Sequence, residues 1–344
     1  MKTKSIIVII VLITSFINCN AQNEKKEANF PELKGPYLGQ KPPGMTPELF
    51  APGIISCGTY DYHGTFSPDG KEFYFGRQIG RALVWFTEEK NGKWTKPQIA
   101  PFYGKIKWHD RAAMFSPDGN KIFFTSYRPE DENDERAGTS NIYYVERSDE
   151  GWSKPIDPGK NINTEATEAN GSMDLEDNYY FNSRRTNGVG SNDIYYSKYE
   201  NGTFGEAQLL SDSVNTAGSE TYPFIAPDGS YLLFTRVIRG GKYGFTIEIF
   251  ISFKTPDGQW TKAKSMADVL NCDYRDSAPF VSFDGKYLFF TRYKKAEKFD
   301  KNTHHSYQEL MEIFDSPENT IHHGDIYWVD AKIIEQFKFD NIKQ

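Results

Sequence analysis

Phe66-Ser67-Pro68-Asp69-Gly70-Lys71-Glu72-Phe73-Tyr74-Phe75 is the stretch that decides the fold. Pro presets one backbone dihedral and Gly accepts a positive φ, so Pro-Asp-Gly reads as a tight hairpin turn. The aromatic residues that follow it suit a strand packed on a half-buried surface. The block recurs as Phe115-Ser116-Pro117-Asp118-Gly119, Ile225-Ala226-Pro227-Asp228-Gly229 and Val281-Ser282-Phe283-Asp284-Gly285. A degenerate copy, Met173-Asp174-Leu175-Glu176-Asp177, falls where the third is due, which gives a period of about 50 to 57 residues.

Each turn joins two strands, and a third strand follows in each unit, as in Asn141-Ile142-Tyr143-Tyr144, Asp193-Ile194-Tyr195-Tyr196 and Asp325-Ile326-Tyr327-Trp328. A fourth, outer strand comes after a further turn in four units, as in Gly92-Lys93-Trp94-Thr95-Lys96-Pro97 and Gly151-Trp152-Ser153-Lys154-Pro155. Four antiparallel strands per unit make the blade of a propeller. The Ser-Pro-Asp-Gly and Asp-Ile-Tyr elements resemble the WD40-like PD40 repeats of TolB-type propellers, and they cover nearly all of the chain after its N-terminal segment. An all-β fold is expected, a β-propeller whose five repeats count as five four-stranded blades; six would need a blade within the N-terminal arm or the late insertion. Such propellers serve as scaffolds, binders and enzymes alike, so the fold leaves the chemistry open. The last unit lacks an outer strand after Trp328, whereas Pro47-Glu48-Leu49-Phe50-Ala51-Pro52 resembles one, so the N-terminal strand is expected to close the ring and leave no edge.

The chain begins with the basic Met1-Lys2-Thr3-Lys4 and an apolar stretch from Ser5 to Ile17, too short to span a bilayer. Residues 1–21 therefore read as a signal peptide, with cleavage either near Cys19-Asn20-Ala21 or at a loose lipobox that leaves Cys19 lipidated. Residues 22–43 form a polar, Pro/Gly-rich tether or arm, and residues 44–344 a single propeller domain. Export to the periplasm or the cell surface follows, with membrane contact only through a lipid on Cys19, and a monomer is expected. Three Cys rule out a disulfide-dense scaffold; Cys57 and Cys272 occupy equivalent repeat positions and are expected either to bridge or to stay as two buried thiols. A net charge of −7 argues against broad nucleic-acid binding, which needs a basic surface.

In a four-stranded blade, the loop entering the innermost strand and the loop between its second and third strands open on one face. The entry loops carry Tyr60-Asp61-Tyr62-His63, Trp108-His109-Asp110-Arg111, Glu165 and Glu168, Glu220-Thr221-Tyr222 and Tyr274-Arg275-Asp276. The other set begins at Arg77, Arg128, Arg184-Arg185, Arg236 and Arg292, and its last member ends at His322-His323. Asp61, Asp110, Glu220 and Asp276 align in one repeat column, and Arg77, Arg236 and Arg292 in another, as repeated structural salt bridges would. Members that do not recur are the better functional candidates: His63, His109, Tyr222, Arg275, His322 and His323. The loop spanning residues 293–324 is long enough for a lid over that face or for an insertion that covers a sheet edge, and holds a helix-like Ser306–Phe314 segment.

The sequence has no nucleotide fingerprint, P-loop, nucleophile elbow or Zn-type helix motif. Glycoside hydrolysis would need two carboxylates in distinct roles, which a regularly repeated acidic column supplies poorly. β-Elimination on a uronic acid needs a cation for the sugar carboxylate, a base for the C5 proton and an acid for the leaving oxygen. Arg236, Arg275 and Arg292 suit the first, His63 or His109 the second, and Tyr222 or the other His the third. This residue set and architecture are similar to those of propeller-fold uronate lyases such as oligogalacturonate and ulvan lyases. The expected partner is thus an anionic oligosaccharide from a polysaccharide such as ulvan, cleaved by a lyase or dehydrated at a chain end. His322-His323 with His63 or His109 could add a divalent metal, although adjacent His on a strand point to opposite sides. The rival reading is a non-catalytic TolB-like propeller that binds a protein partner or glycan.

Overall fold

The computed structural model describes residues 30–57, 59–102, 108–129, 139–240, 245–272, 275–293, 306 and 324–338. The signal-peptide region with Cys19, most of the 293–324 loop and the His322-His323 pair lie outside the described residues.

From Lys34 onward the chain is all-β, and its strands follow the sequence repeats. Strand β1 (Glu48–Leu49) comes first. The first repeat supplies β2 (Tyr60–Phe66), β3 (Glu72–Ile79), β4 (Arg81–Lys90), β5 (Lys93–Trp94) and β6 (Gln98–Ile99). The second supplies β7 (Arg111–Phe115), β8 (Lys121–Ser126), β9 (Asn141–Ser148) and β10 (Gly151–Trp152). The third supplies β11 (Glu168–Met173), β12 (Asn178–Ser183), β13 (Asp193–Glu200), β14 (Thr203–Phe204) and β15 (Gln208–Leu209). The fourth supplies β16 (Glu220–Ile225), β17 (Tyr231–Arg239), β18 (Phe245–Phe253) and β19 (Lys264–Ser265), and the fifth β20 (Arg275–Val281), β21 (Tyr287–Tyr293) and β22 (Gly324–Asp330). Within each repeat the first three strands pair antiparallel in order, and the short outer strands pair antiparallel with the third.

Strand β1 pairs antiparallel with β22, Glu48 opposite Trp328 and Leu49 opposite Tyr327, so a segment from before the first repeat completes the last sheet. A single parallel pairing, Ile247 with Arg275, joins the fourth and fifth sheets. The innermost strands touch in cyclic order: β2 meets β7, β7 meets β11, β11 meets β16, β16 meets β20, and β20 meets β2. The arrangement is that of a β-propeller.

The hairpin turns form for the reasons the sequence gives. Gly70, Gly119, Gly229 and Gly285 take φ of +71°, +74°, +69° and +72°, and Ser67 Oγ donates to Asp69 Oδ1 at 2.6 Å while accepting from Glu72 N. In the degenerate copy Asp177 takes the left-handed position, φ +62°, and Asp174 Oδ1 accepts from Glu176 N and Asn178 N in place of the serine.

Because both faces of each sheet are covered, the core lies between sheets rather than inside one. Tyr74 and Val84 of the first repeat pack with Phe115, Phe124 and Val145 of the second, and the same happens between second and third (Phe123, Tyr144, Tyr179, Phe181) and third and fourth (Tyr180, Ile194, Leu232, Phe234). Between fifth and first the seam is aromatic: Phe50, which follows β1, lies 5.2 Å from Phe73, 5.1 Å from Phe289 and 5.1 Å from Trp328, ring centre to ring centre. Tyr37 joins this cluster 5.1 Å from Phe66, so the end of the arm is packed on the sheets. Cys57 and Cys272 are separate thiols. Cys57 is exposed rather than buried, held near Thr59 and Asp61 by the bend that enters β2, and Cys272 Sγ lies 3.9 Å from Ile247 O.

Candidate functional site

The recurring acids are structural clamps. Asp61 meets Arg77 at 2.6 Å, Asp110 meets Arg128 at 3.0 Å, Glu168 meets Arg185 at 3.4 Å, Glu220 meets Arg236 at 2.7 Å, and Asp276 meets Arg292 at 2.6 Å. All five acids are buried. Four of the arginines also donate to a backbone carbonyl of the loop entering their own repeat: Arg77 to Ile55, Arg185 to Ile162, Arg236 to Val214 and Arg292 to Leu270. A buried charge held this way fixes loop to strand. The guanidinium groups of Arg236 and Arg292, two of the three arginines expected to meet a carboxylate, are thus engaged within their own repeats.

Two residues after each acid, the innermost strand bulges. The registers of β2, β7, β11, β16 and β20 against their partners all shift there. The residues at the bulge take left-handed backbone: His63 (φ +51°), Ala112 (+56°), Asn170 (+47°), Tyr222 (+51°) and Ala278 (+52°). A β-bulge re-aims a side chain, and non-glycine residues at positive φ are uncommon enough to need support. That support comes from the neighbouring repeat. His63 N donates to Thr291 Oγ1, Asn170 N to Thr125 Oγ1, Tyr222 N to Asn182 Oδ1 and Ala278 N to Thr235 Oγ1, at 2.9 to 3.3 Å. In the first repeat Gly76 takes the place of these side chains, because a Cβ there would lie 2.7 Å from Tyr62 Cζ.

His63 and Tyr222 belong to the first and fourth repeats, which are not neighbours in the cyclic order, yet their rings lie 5.6 Å apart. Both side chains therefore reach the axis. His63 is buried and its Nδ1 has no hydrogen-bond partner among the described residues. Burial lowers its pKa to about 4, against the pull of hydrogen bonds to its own backbone and that of Ala113, so the imidazole is neutral at pH 7. Burial, with Tyr293 nearby and Arg111 opposing, pushes Tyr222 up to about 12, so its phenol keeps its proton.

Arg111 stands one residue before a bulge, among Tyr60, Tyr62, Tyr127 and Tyr222. Its Nη2 donates to Tyr127 Oη at 2.9 Å, its guanidinium carbon lies 5.1 Å from the centre of the Tyr127 ring, and its Nε is buried without a partner among the described residues. Burial works against the Arg111 charge, but Tyr222, Tyr127, Tyr62 and Tyr60 more than offset it and its pKa is raised. Tyr60 and Tyr293 share a hydrogen bond at 2.7 Å, and Tyr60 stacks obliquely 5.0 Å from Tyr62. Burial raises the pKa of both Tyr60 and Tyr62, so the wall around the cation is a set of protonated phenols.

His109 lies at the edge of this cluster, 5.9 Å from the Tyr127 ring, with Nε2 2.5 Å from Arg81 Nη1. Partial burial and the charges of Arg81 and Arg111 lower its pKa, which fits an imidazole accepting from a guanidinium. Arg275 pairs across the ladder with Tyr293 and lays its guanidinium 4.3 Å over the Phe245 ring. The structure therefore brings His63 to Tyr222, links His109 to them through Tyr127 and Arg111, and sets Arg275 beside Tyr293. Among the described residues no group of three or more His, Cys, Asp or Glu is placed to hold a metal, and no helix is long and apolar enough to cross a membrane.

Sequence reasoning put Tyr60, Tyr62 and Arg111 on the entry-loop face without singling them out as site residues, and it missed Tyr127 and Tyr293. The available signal was the column after the recurring acid, which reads Tyr62, Arg111, Ala169, Thr221 and Ser277. One cation in an otherwise uncharged column has no fold requirement behind it.

No family model and no curated protein matches the chain. Solved structures similar to it include a TolB-like protein of Agrobacterium tumefaciens, 19% identical over 70% of this chain and 73% of that one, with a TM-score of 0.45. An α-L-arabinofuranosidase of Podospora anserina in complex with cellotriose is 10% identical over 84% of this chain and 98% of that one, with a TM-score of 0.46. An α-L-arabinofuranosidase of Lactobacillus brevis is 11% identical over 78% of this chain and 90% of that one, with a TM-score of 0.44. Likenesses at this level say nothing about what the axial site does.

Proposed function

We propose that the chain is an exported propeller of five four-stranded blades, its ring closed by β1, and that its axial site carries out β-elimination on uronic-acid-containing oligosaccharides, derived from an anionic polysaccharide such as ulvan. The observation that carries this reading is one arginine, Arg111, set among tyrosines that include Tyr222, whose ring lies 5.6 Å from that of a neutral His63. In this reading Arg111 neutralises the sugar carboxylate, the role first expected of Arg236, Arg275 and Arg292. Arg275, stacked on Phe245 beside Tyr293, assists at the rim.

His63 takes the proton from C5, the electrons of that C–H bond form the C4–C5 double bond, the C4–O bond breaks, and Tyr222 gives its proton to the departing oxygen. Because burial keeps His63 neutral, its ring nitrogen has a free lone pair to accept the C5 proton. If O4 carries another sugar the enzyme is a lyase; if it is a free hydroxyl, water leaves and the enzyme is a dehydratase. His109, tied to Arg81, positions Tyr127 and through it Arg111.

The test is the ultraviolet absorbance of the unsaturated uronate that forms when the protein is mixed with a panel of uronic-acid oligosaccharides. Tyr222→Phe should lower kcat by about 10² to 10⁴ with KM little changed, because the phenol acts only as the leaving group departs. Saturable binding across the panel with no absorbance from the intact protein would sink elimination and leave a glycan-binding propeller.

A further inference from the structure

Asn170 occupies the same bulge position in the third repeat that His63 and Tyr222 occupy in the first and fourth, with φ +47°. Its side chain is buried, and its Oδ1 has no hydrogen-bond partner among the described residues. Which amide atom is the orphan follows from the network. Asn182 Oδ1 accepts from the backbone N–H of Tyr222 at 3.3 Å, which fixes it as the oxygen. Asn170 must therefore present its NH2 to that oxygen, at 3.0 Å, and keep its own carbonyl oxygen turned elsewhere. The result is a buried acceptor whose orientation is locked by a backbone hydrogen bond of the adjacent repeat.

We infer that Asn170 is the specificity-determining contact of the axial site, a subsite that accepts a hydrogen bond from a hydroxyl of the ligand. This rests on the anionic-sugar reading and deepens it by giving the ligand a direction. An unpartnered acceptor needs a donor, and a carboxylate has none, so the carboxylate end lies at Arg111 and a hydroxyl-bearing end at Asn170. The amide of Asn170 carries no charge, so a hydroxyl is preferred there over an ammonium group. The acceptor is unmatched in the free protein, so a ligand that brings the hydroxyl gains a hydrogen bond there and one without it gains none.

The experiment is calorimetric titration of the full chain with D-glucuronate and with cyclohexanecarboxylate, which has the same charge and a six-membered ring but no hydroxyl. The wild type is expected to bind glucuronate about tenfold more tightly, and Asn170→Ala to remove that preference by weakening glucuronate alone. Ala112 and Ala278 already hold the same backbone conformation, so alanine is compatible with the fold, and Asn170→Gly, suited to positive φ, is the second variant. Equal binding of the two ligands by the wild type, binding of neither, or a preference that survives in both variants would overturn the assignment. Binding with the expected preference but no elimination product refutes the chemistry and leaves the subsite standing; turnover with the preference unaltered in the variants refutes the subsite alone.

Discussion

Lowering the pH should destabilise this protein through His63, and the size of the effect follows from its burial. The ring is buried on the axis and its folded-state pKa is lowered from 6.5 to about 4. A His whose folded pKa lies below its unfolded value contributes stability that is fully present above the unfolded pKa. That contribution is lost as the pH falls from there toward the folded pKa, because the unfolded chain takes up the proton first. A shift of this size corresponds to roughly 3 kcal/mol in total, of which roughly 2 to 3 kcal/mol should be lost between about pH 7 and about pH 4.5. The assay is urea unfolding at those two pH values for the wild type and for His63→Asn. Asn tolerates the left-handed backbone, and Asn170 already occupies the equivalent position, so the variant should fold. The wild type should lose roughly 2 to 3 kcal/mol more than the variant on acidification, with unchanged m-values. Equal losses in the two proteins would refute the claim that a neutral imidazole is buried at the axis.

Arg236→Met should lower unfolding stability by about 3 kcal/mol, since Glu220 would be left buried without its cation. Adding Glu220→Gln to that variant should restore part of the loss in the same urea measurement, whereas a surface pair would show neither change. Phe50→Ala should cost about 3 to 5 kcal/mol, because the ring is wholly buried against Phe66, Phe73, Phe289 and Trp328 where the last sheet meets the first. A melting temperature within experimental error of the wild type would refute the role given to that seam.

The fold was legible because its signals are local. Pro68-Asp69-Gly70 and its copies set their turns within four residues, and even the degenerate copy folds alike because Asp174 and Asp177 carry out the same hydrogen bonding and backbone tasks. Four of the five recurring acids, all but Glu168, were legible as a column, and three of their partners were. Arg77, Arg236 and Arg292 stand directly across the ladder from their acids, whereas Ser126 and Ser183 hold the corresponding positions in the second and third repeats, and Arg128 and Arg185 reach back from the following loop. The axial positions of His63 and Tyr222 were nominated as exceptions to the repeat, though they are members of a column themselves. The bulge hides that column, since it breaks the two-residue alternation by which a strand's faces are read. Beyond Tyr222 the tyrosine wall was not legible as a wall, because Tyr60 and Tyr62, Tyr127, Tyr222 and Tyr293 come from four different repeats and meet only in three dimensions.

The five left-handed bulges separate what the fold must keep from what it is at liberty to change. In four of the five, the backbone conformation at the axis is held by a side chain from the adjacent repeat, not by the residue that sits there. Histidine, asparagine, tyrosine and alanine therefore occupy equivalent places with nearly the same φ. Two of those places are filled by alanine, which does no chemistry. The side chains presented at the axis can thus differ from one such propeller to another while turns, clamps and inter-sheet cores stay untouched.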